Sequence, residues 1–246
     1  MTALPPFSEK SYAELITTFV QRGYQVTPYT DLCIGQPHLI LRHDIDMSLE
    51  AAVRIGKLEA DHGWKSYYFI MVRSFLYNIL TSESQAFIRQ LTDFGHQIGL
   101  HFDPHLYGED WDLLDAAATR EVDLLSDIIG QPINFISFHR PLESLLGSPR
   151  KLAGLPHTYQ PKFFQEISYC SDSRGDWHYG HPLDLPAVQQ GRAIQLLTHP
   201  IWWEGEARSA TDRLNTFVKN HMNEFKSILR DNCSIYQFND VSKADS

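Results

Sequence analysis

Leu39-Ile40-Leu41-Arg42-His43-Asp44-Ile45-Asp46 decides how the rest of this chain is read. An apolar run ends in two carboxylates two residues apart. On a strand, side chains at i and i+2 share a face. Asp44 and Asp46 can therefore point into one site while Ile45 points away. Two like charges at one strand end repel and need a reason. A shared cation is one. The other is a division in which one Asp binds metal and its neighbour holds a proton or pairs with an arginine. A lone Asp-x-Asp is more often a strand end with its acids facing solvent, but the other strand ends of this chain argue against that here.

Outward from this stretch, strands alternate with helices. Ser48 caps a helix with Ala51, Ile55 and Leu58 in phase, stopped by His62-Gly63. A strand follows over Ser66–Met71, and Ser82-x-x-Gln85 reads as a capping box opening a helix with Phe87, Ile88 and Leu91. Further strands are expected over His96–Phe102, Ile133–Phe138, Glu166–Cys170 and Ala193–Thr198, with a long helix over 109–129. Ser209 opens an amphipathic helix, Ser234–Phe238 reads as a seventh strand, and the tail after Asp240 as disorder. Upstream, Ser8 caps a helix over 8–22 with Tyr12, Leu15, Ile16 and Phe19 on one face. The alternation implies a parallel sheet of about seven βα units, near a closed barrel and short of eight. Without repeats or a linker, residues 1–246 read as a single domain: a core over about 39–240 with the helix 8–22 packed on it.

Composition narrows the function. The 246 residues carry a net charge of −9, which argues against nucleic acid and gives no support for adsorption on an anionic membrane. Cys33, Cys170 and Cys233 are too few and too scattered for a disulfide framework or a cysteine zinc site. No apolar stretch is long enough to span a bilayer. Residues 1–10 lack a basic n-region and an apolar h-region, so no signal peptide and a cytoplasmic location are expected. Oligomeric state has no signature in the sequence. The unusual count is histidine, at 12.

In barrels of parallel strands, sites form at the C-terminal strand ends. Here five of those ends, or the loops just after them, carry reactive groups: Asp44 and Asp46; His101 and His105; His139-Arg140-Pro141; Asp176-Trp177; and His199. His101 and His105 are natural metal ligands if the chain turns at Pro104, and a carboxylate would complete three protein ligands with open positions for water. Arg140 could grip a carboxylate bidentately, and His199 could serve as a general acid. Trp177, Trp202 and Trp203 could stack on a sugar ring, although adjacent Trp202 and Trp203 cannot easily both face one site. His43, Asp103 and His139 flank these groups.

The order His-Asp-Ile-Asp, His-x-x-x-His, Arg-Pro, Asp-Trp, Leu-x-His resembles the five motifs of the polysaccharide deacetylases, carbohydrate esterase family four, also called NodB-like. The resemblance spans about Arg42 to Trp203, in the His-Asp-x-Asp form. It implies an α/β fold, a distorted, incomplete (β/α) barrel of about seven units. It also implies roles: Asp44 as base; Asp46, His101 and His105 as metal ligands; Arg140 orienting the base; Asp176 tuning the general acid His199. The resemblance makes Trp177 the hydrophobic neighbour of Asp176; Trp177 and His139 are also expected to contact the substrate. Phe102 departs from the family's usual Ser or Thr, and the arginine motif lacks its second proline or aromatic.

The resemblance implies a metal-dependent hydrolase with one divalent ion, zinc, or else cobalt, nickel or manganese. It would remove an acetyl or formyl group from the nitrogen of an amino sugar. With no signal peptide expected, the substrate would be a nucleotide- or lipid-linked precursor of a surface polysaccharide. Two alternatives stand beside this: a metal-independent glycosidase using Asp44 and Asp46 as its carboxylate pair, and a catalytically silent carbohydrate-binding relative.

Overall fold

The computed structural model describes residues 7–178 and 180–236. Its strands are β1 (Gln25–Val26), β2 (His38–Ile45), β3 (Tyr67–Ile70), β4 (Gln97–Phe102), β5 (Ile136–Phe138), β6 (Ser168–Ser171) and β7 (Ile194–Thr198). All pair in parallel in one sheet of order β5-β4-β3-β2-β7-β6, with β1 beside the start of β2. Among the described residues β5 and β6 do not pair, so the sheet curls without closing. Residues 156–158 lie along the free edge of β5, where Ile136 N donates to Pro156 O and Thr158 N to Ile136 O. This is the distorted, incomplete (β/α) barrel that the resemblance implies, and it agrees with the count of strand–helix units.

The helices are α1 (Glu9–Gln21), α2 (Leu49–Asp61), α3 (Ser82–Asp93), α4 (Trp111–Ile129), α5 (Pro161–Phe164), α6 (Pro186–Gln189), α7 (Pro200–Trp203) and α8 (Ala210–Asn232). The chain forms two compact units. Residues 1–207 hold the sheet and α1–α7, and residues 208–246 hold α8, which Ser209 caps by accepting from Asp212 N. No helix among the described residues is long and apolar enough to cross a membrane.

β2 is central and buried on both faces, with Arg42, His43 and Asp44 buried beside Leu39, Ile40, Leu41 and Ile45. Its parity builds two cores. Ile40 joins Tyr29, Phe69, Phe135 and Phe163 inside the curl. Ile45 joins Leu49, Ala52, Ile70 and Leu100 in the outer layer between sheet and helices. Arg42 and Asp44 share the interior parity of Ile40. His43 points outward, where its Nε2 lies 3.0 Å from Glu59 Oε1 on α2. Glu59 also accepts from the hydroxyls of Tyr12 and Tyr68. Burial opposes its charge, but His43, His96 and these hydrogen bonds outweigh it and bring its pKa down to about 2.

Three expectations are corrected. Thr81, not Ser82, caps α3, because Thr81 is the extended residue and its hydroxyl accepts from Ser84 N. The fourth strand is shorter than 133–138: it spans Ile136–Phe138, and of the residues before it only Phe135 reaches β4, its O accepting from Leu100 N, although Ile133 and Phe135 are both buried. Ser234 and Ile235 form a turn rather than a strand, while Gln237, Phe238 and the tail after Asp240 lie outside the described residues.

Candidate metal and acid-base site

The C-terminal ends of β2, β4, β5, β6 and β7 bring their polar residues together at one end of the sheet. Asp46, just past β2, is the hub. Its Oδ1 is 3.0 Å from His101 Nε2 and 3.3 Å from His139 Nδ1, and its Oδ2 is 3.7 Å from His199 Nε2. Asp46, His101 and His139 offer one carboxylate oxygen and two imidazole nitrogens, all within 4.8 Å of one another. Burial raises the cost of the Asp46 charge, yet hydrogen bonds from His101 and His139 and the charge of His199 hold its carboxyl well below the usual range.

The hydrogen-bond chain fixes what His101 presents. Ser137 Oγ, on β5, donates to Asp44 Oδ1 at 3.2 Å, so it accepts from His101 Nδ1 at 2.6 Å. His101 Nε2 then faces Asp46 Oδ1 at 3.0 Å, where it either donates a proton to the carboxylate or shares a cation with it. The donor set, one carboxylate and two imidazoles, suits a divalent ion of the zinc class.

Asp44 is clamped by Arg42, whose Nε donates to Oδ1 at 3.0 Å and whose terminal nitrogen donates to Oδ2 at 2.7 Å. Both are buried, and the guanidinium also lies 4.7 Å from the centre of the Tyr159 ring. Burial alone would raise the Asp44 pKa. The charges of Arg42 and His101 lower it instead.

His199 follows β7 and is backed by Asp172, which follows β6. Its Nδ1 is 2.6 Å from Asp172 Oδ1. The fully buried Asp172 carboxylate also accepts from His199 N and from Trp203 Nε1. Burial disfavours the imidazolium, but the charge and hydrogen bond of Asp172, with Asp46 and Asp44, raise the His199 pKa to about 9.

The placement of the other expected residues differs. His105 sits exposed on the turn Pro104–Leu106, outside the donor group, and His139 stands where the spacing suggested His105. Arg140 adopts φ 49°, which turns the chain so that its guanidinium pairs with Asp103 rather than Asp44. Asp176 is exposed and accepts only from Trp177 N, its own neighbour, among its described hydrogen bonds. Trp177 is buried against Phe7 and Trp203 and offers no open face for a sugar.

The residues that sequence reading passed over had faint signals. Arg42 lies two positions before Asp44, hence on the same strand face, but was hidden in an apolar run. Asp172 directly follows β6, while the Asp-Trp pair four residues later drew the assignment.

No protein-family model matches this chain, and no curated protein matches it. Solved structures do resemble it. One is a mutant of a CE4 family pseudoenzyme with restored enzymatic activity: 14% identity, 78% of this chain and 65% of that chain covered, TM-score 0.44. A second is a peptidoglycan N-acetylglucosamine deacetylase in complex with a substituted benzamide: 16% identity, 84% and 90% covered, TM-score 0.48. A third is a family 4 carbohydrate esterase from Streptomyces lividans in complex with acetate: 13% identity, 78% and 91% covered, TM-score 0.44. The chain spans less than two thirds of the pseudoenzyme mutant's length. Two of these three carry the family-four name that the order of the motifs resembles.

Proposed function

We propose that this protein hydrolyses the N-acyl group of an amino sugar, carried on a nucleotide or a lipid, with one divalent ion at Asp46, His101 and His139. One observation carries the reading: an arginine-clamped carboxylate and a carboxylate-backed imidazolium stand beside the same Asp-His-His donor group. A zinc-class ion held there would supply Lewis acidity towards an acyl carbonyl and bring the pKa of bound water towards ~7. Asp44, fixed by Arg42 and Ser137, takes the proton of the attacking water at a carboxylate oxygen. His199, kept charged by Asp172, donates from Nε2 to the departing amine nitrogen. The products are a carboxylic acid and a free amino sugar.

The two-carboxylate glycosidase is disfavoured. It needs one carboxyl group protonated, whereas Arg42 and the histidines hold both Asp44 and Asp46 below the ordinary carboxylate range. The test is acid and amine release from N-acetylated amino sugars, with zinc, cobalt, nickel or manganese added in turn. Release that a chelator stops supports the reading. Cleavage of the glycosidic bond, or sugar binding with no release under any metal, overturns it.

A further inference from the structure

A row of polar side chains crosses the outer face of the sheet behind the site. Tyr68 on β3, His43 on β2 and Thr198 on β7 are register partners on three adjacent strands. His43 Nδ1 lies 2.8 Å from Thr198 Oγ1, and the His43 ring stacks on Tyr68 with centroids 4.4 Å apart. Glu59 on α2 closes the row from the helix side. Tyr68 hydroxyl donates to its Oε2 at 2.7 Å, and Tyr12 hydroxyl and His43 Nε2 reach its Oε1 at 2.5 and 3.0 Å. Tyr12, His43, Glu59, Tyr68 and Thr198 are each at most 1% exposed. Ionised Glu59 only accepts, so His43 donates from Nε2, and its Nδ1 shares one hydrogen bond with the Thr198 hydroxyl.

Packing alone does not require such a row. Two residues further along the same strands, Ile45 and Ile70 are register partners in the apolar layer between sheet and helices. A buried carboxylate costs free energy that an apolar residue of similar volume avoids. Hydrogen bonds add direction: they fix a spacing between strands that apolar contacts leave softer. The next residues in the chain are the reacting groups. Asp44 follows His43 on β2, and His199 follows Thr198 in extended conformation at the end of β7. Alternation sends both side chains to the inner face from one cross-linked level of the two strands.

We propose that Glu59, His43 and Thr198 are positioning residues, whose bridge sets the distance between Asp44, the base, and His199, the acid, across β2 and β7. The inference rests on the deacylase reading for those two roles. The bridge acts from behind the strands, and the metal ligands on β4 and β5 lie outside it.

The test is steady-state hydrolysis of an N-acetylated amino sugar by the zinc-loaded parent, Thr198→Val and Thr198→Ser, well below each melting temperature. Val keeps the volume and loses the hydroxyl, whereas Ser keeps the hydroxyl. Misplacing reacting groups by about 1 Å costs up to about 100-fold. In Thr198→Val, kcat therefore falls at least about tenfold while KM and zinc content stay within about twofold, and Thr198→Ser recovers to within about threefold. Glu59→Gln cuts the bridge from α2, gives the same split, and serves if Thr198→Val does not fold. The double variant loses no more than the worse single one, as a shared bridge requires. An unchanged kcat in the folded variants, a loss that Ser does not recover, or additive losses overturn the proposal. A parent that releases no acid removes the deacylase reading instead, and the bridge is then read by histidine side-chain NMR. The His199 Nδ1–H signal moves in Glu59→Gln, although the described hydrogen bonds of Glu59 do not reach His199; a signal that stays in place overturns the bridge.

Discussion

Arg42 and Asp44 show how much can depend on a pair two residues apart. Strand parity points both into the curl, where both are buried. Removing one partner strands a buried charge, so Arg42→Met should cost about 3–5 kcal/mol in urea unfolding. Arg42→Lys keeps the charge but loses the two-pronged grip and should fall between. Glu59 gives a pH signature. Its folded pKa of about 2 lies below the ordinary glutamate value of 4.5, so its contribution is complete above about 4.5 and lost as pH falls towards 2. Stability lost between about pH 5 and pH 2.5 should be smaller in Glu59→Gln, by up to roughly 3 kcal/mol. A parallel loss in parent and variant would contradict this. Asp172 and Asp176 separate cleanly: Asp172→Asn should cut turnover about 100-fold or more, as loss of a tuned general acid does, while Asp176→Asn leaves it near the parent's.

At the scale of elements, β4 holds a tight constraint. A Cβ on Gly99 would lie 2.3 Å from the Phe69 ring and 2.9 Å from Phe135 O. Gly99→Ala should cost about 1–3 kcal/mol in thermal unfolding and weaken metal binding, since His101 follows two residues later on the same face. Strand parity also marks what the sequence made legible. Asp44 and His101 lie on strands, and Asp46 and His199 directly follow them, so period and position alone aim them at one site. His105, Arg140 and Asp176 lie further out on turns, where backbone dihedrals decide direction and period no longer helps. The positive φ of Arg140 sends its side chain to Asp103, and the turn at Pro104 leaves His105 in solvent.

For the whole molecule, the alternation of apolar runs with 3.6-residue stripes was enough to give a parallel sheet short of closure. It could not reveal that residues 156–158 would flank the free edge of β5, because that segment carries no strand pattern of its own. Nor could it choose which histidine joins Asp46 and His101, since that choice depends on how β4 and β5 stand side by side: His101 pairs in register with Ser137, which places His139 just beyond. The most direct measurement is therefore metal content after zinc loading, by elemental analysis of the parent, His139→Ala and His105→Ala. The account predicts near-stoichiometric zinc in the parent and in His105→Ala, and its loss in His139→Ala. Zinc kept by His139→Ala and lost from His105→Ala would contradict it.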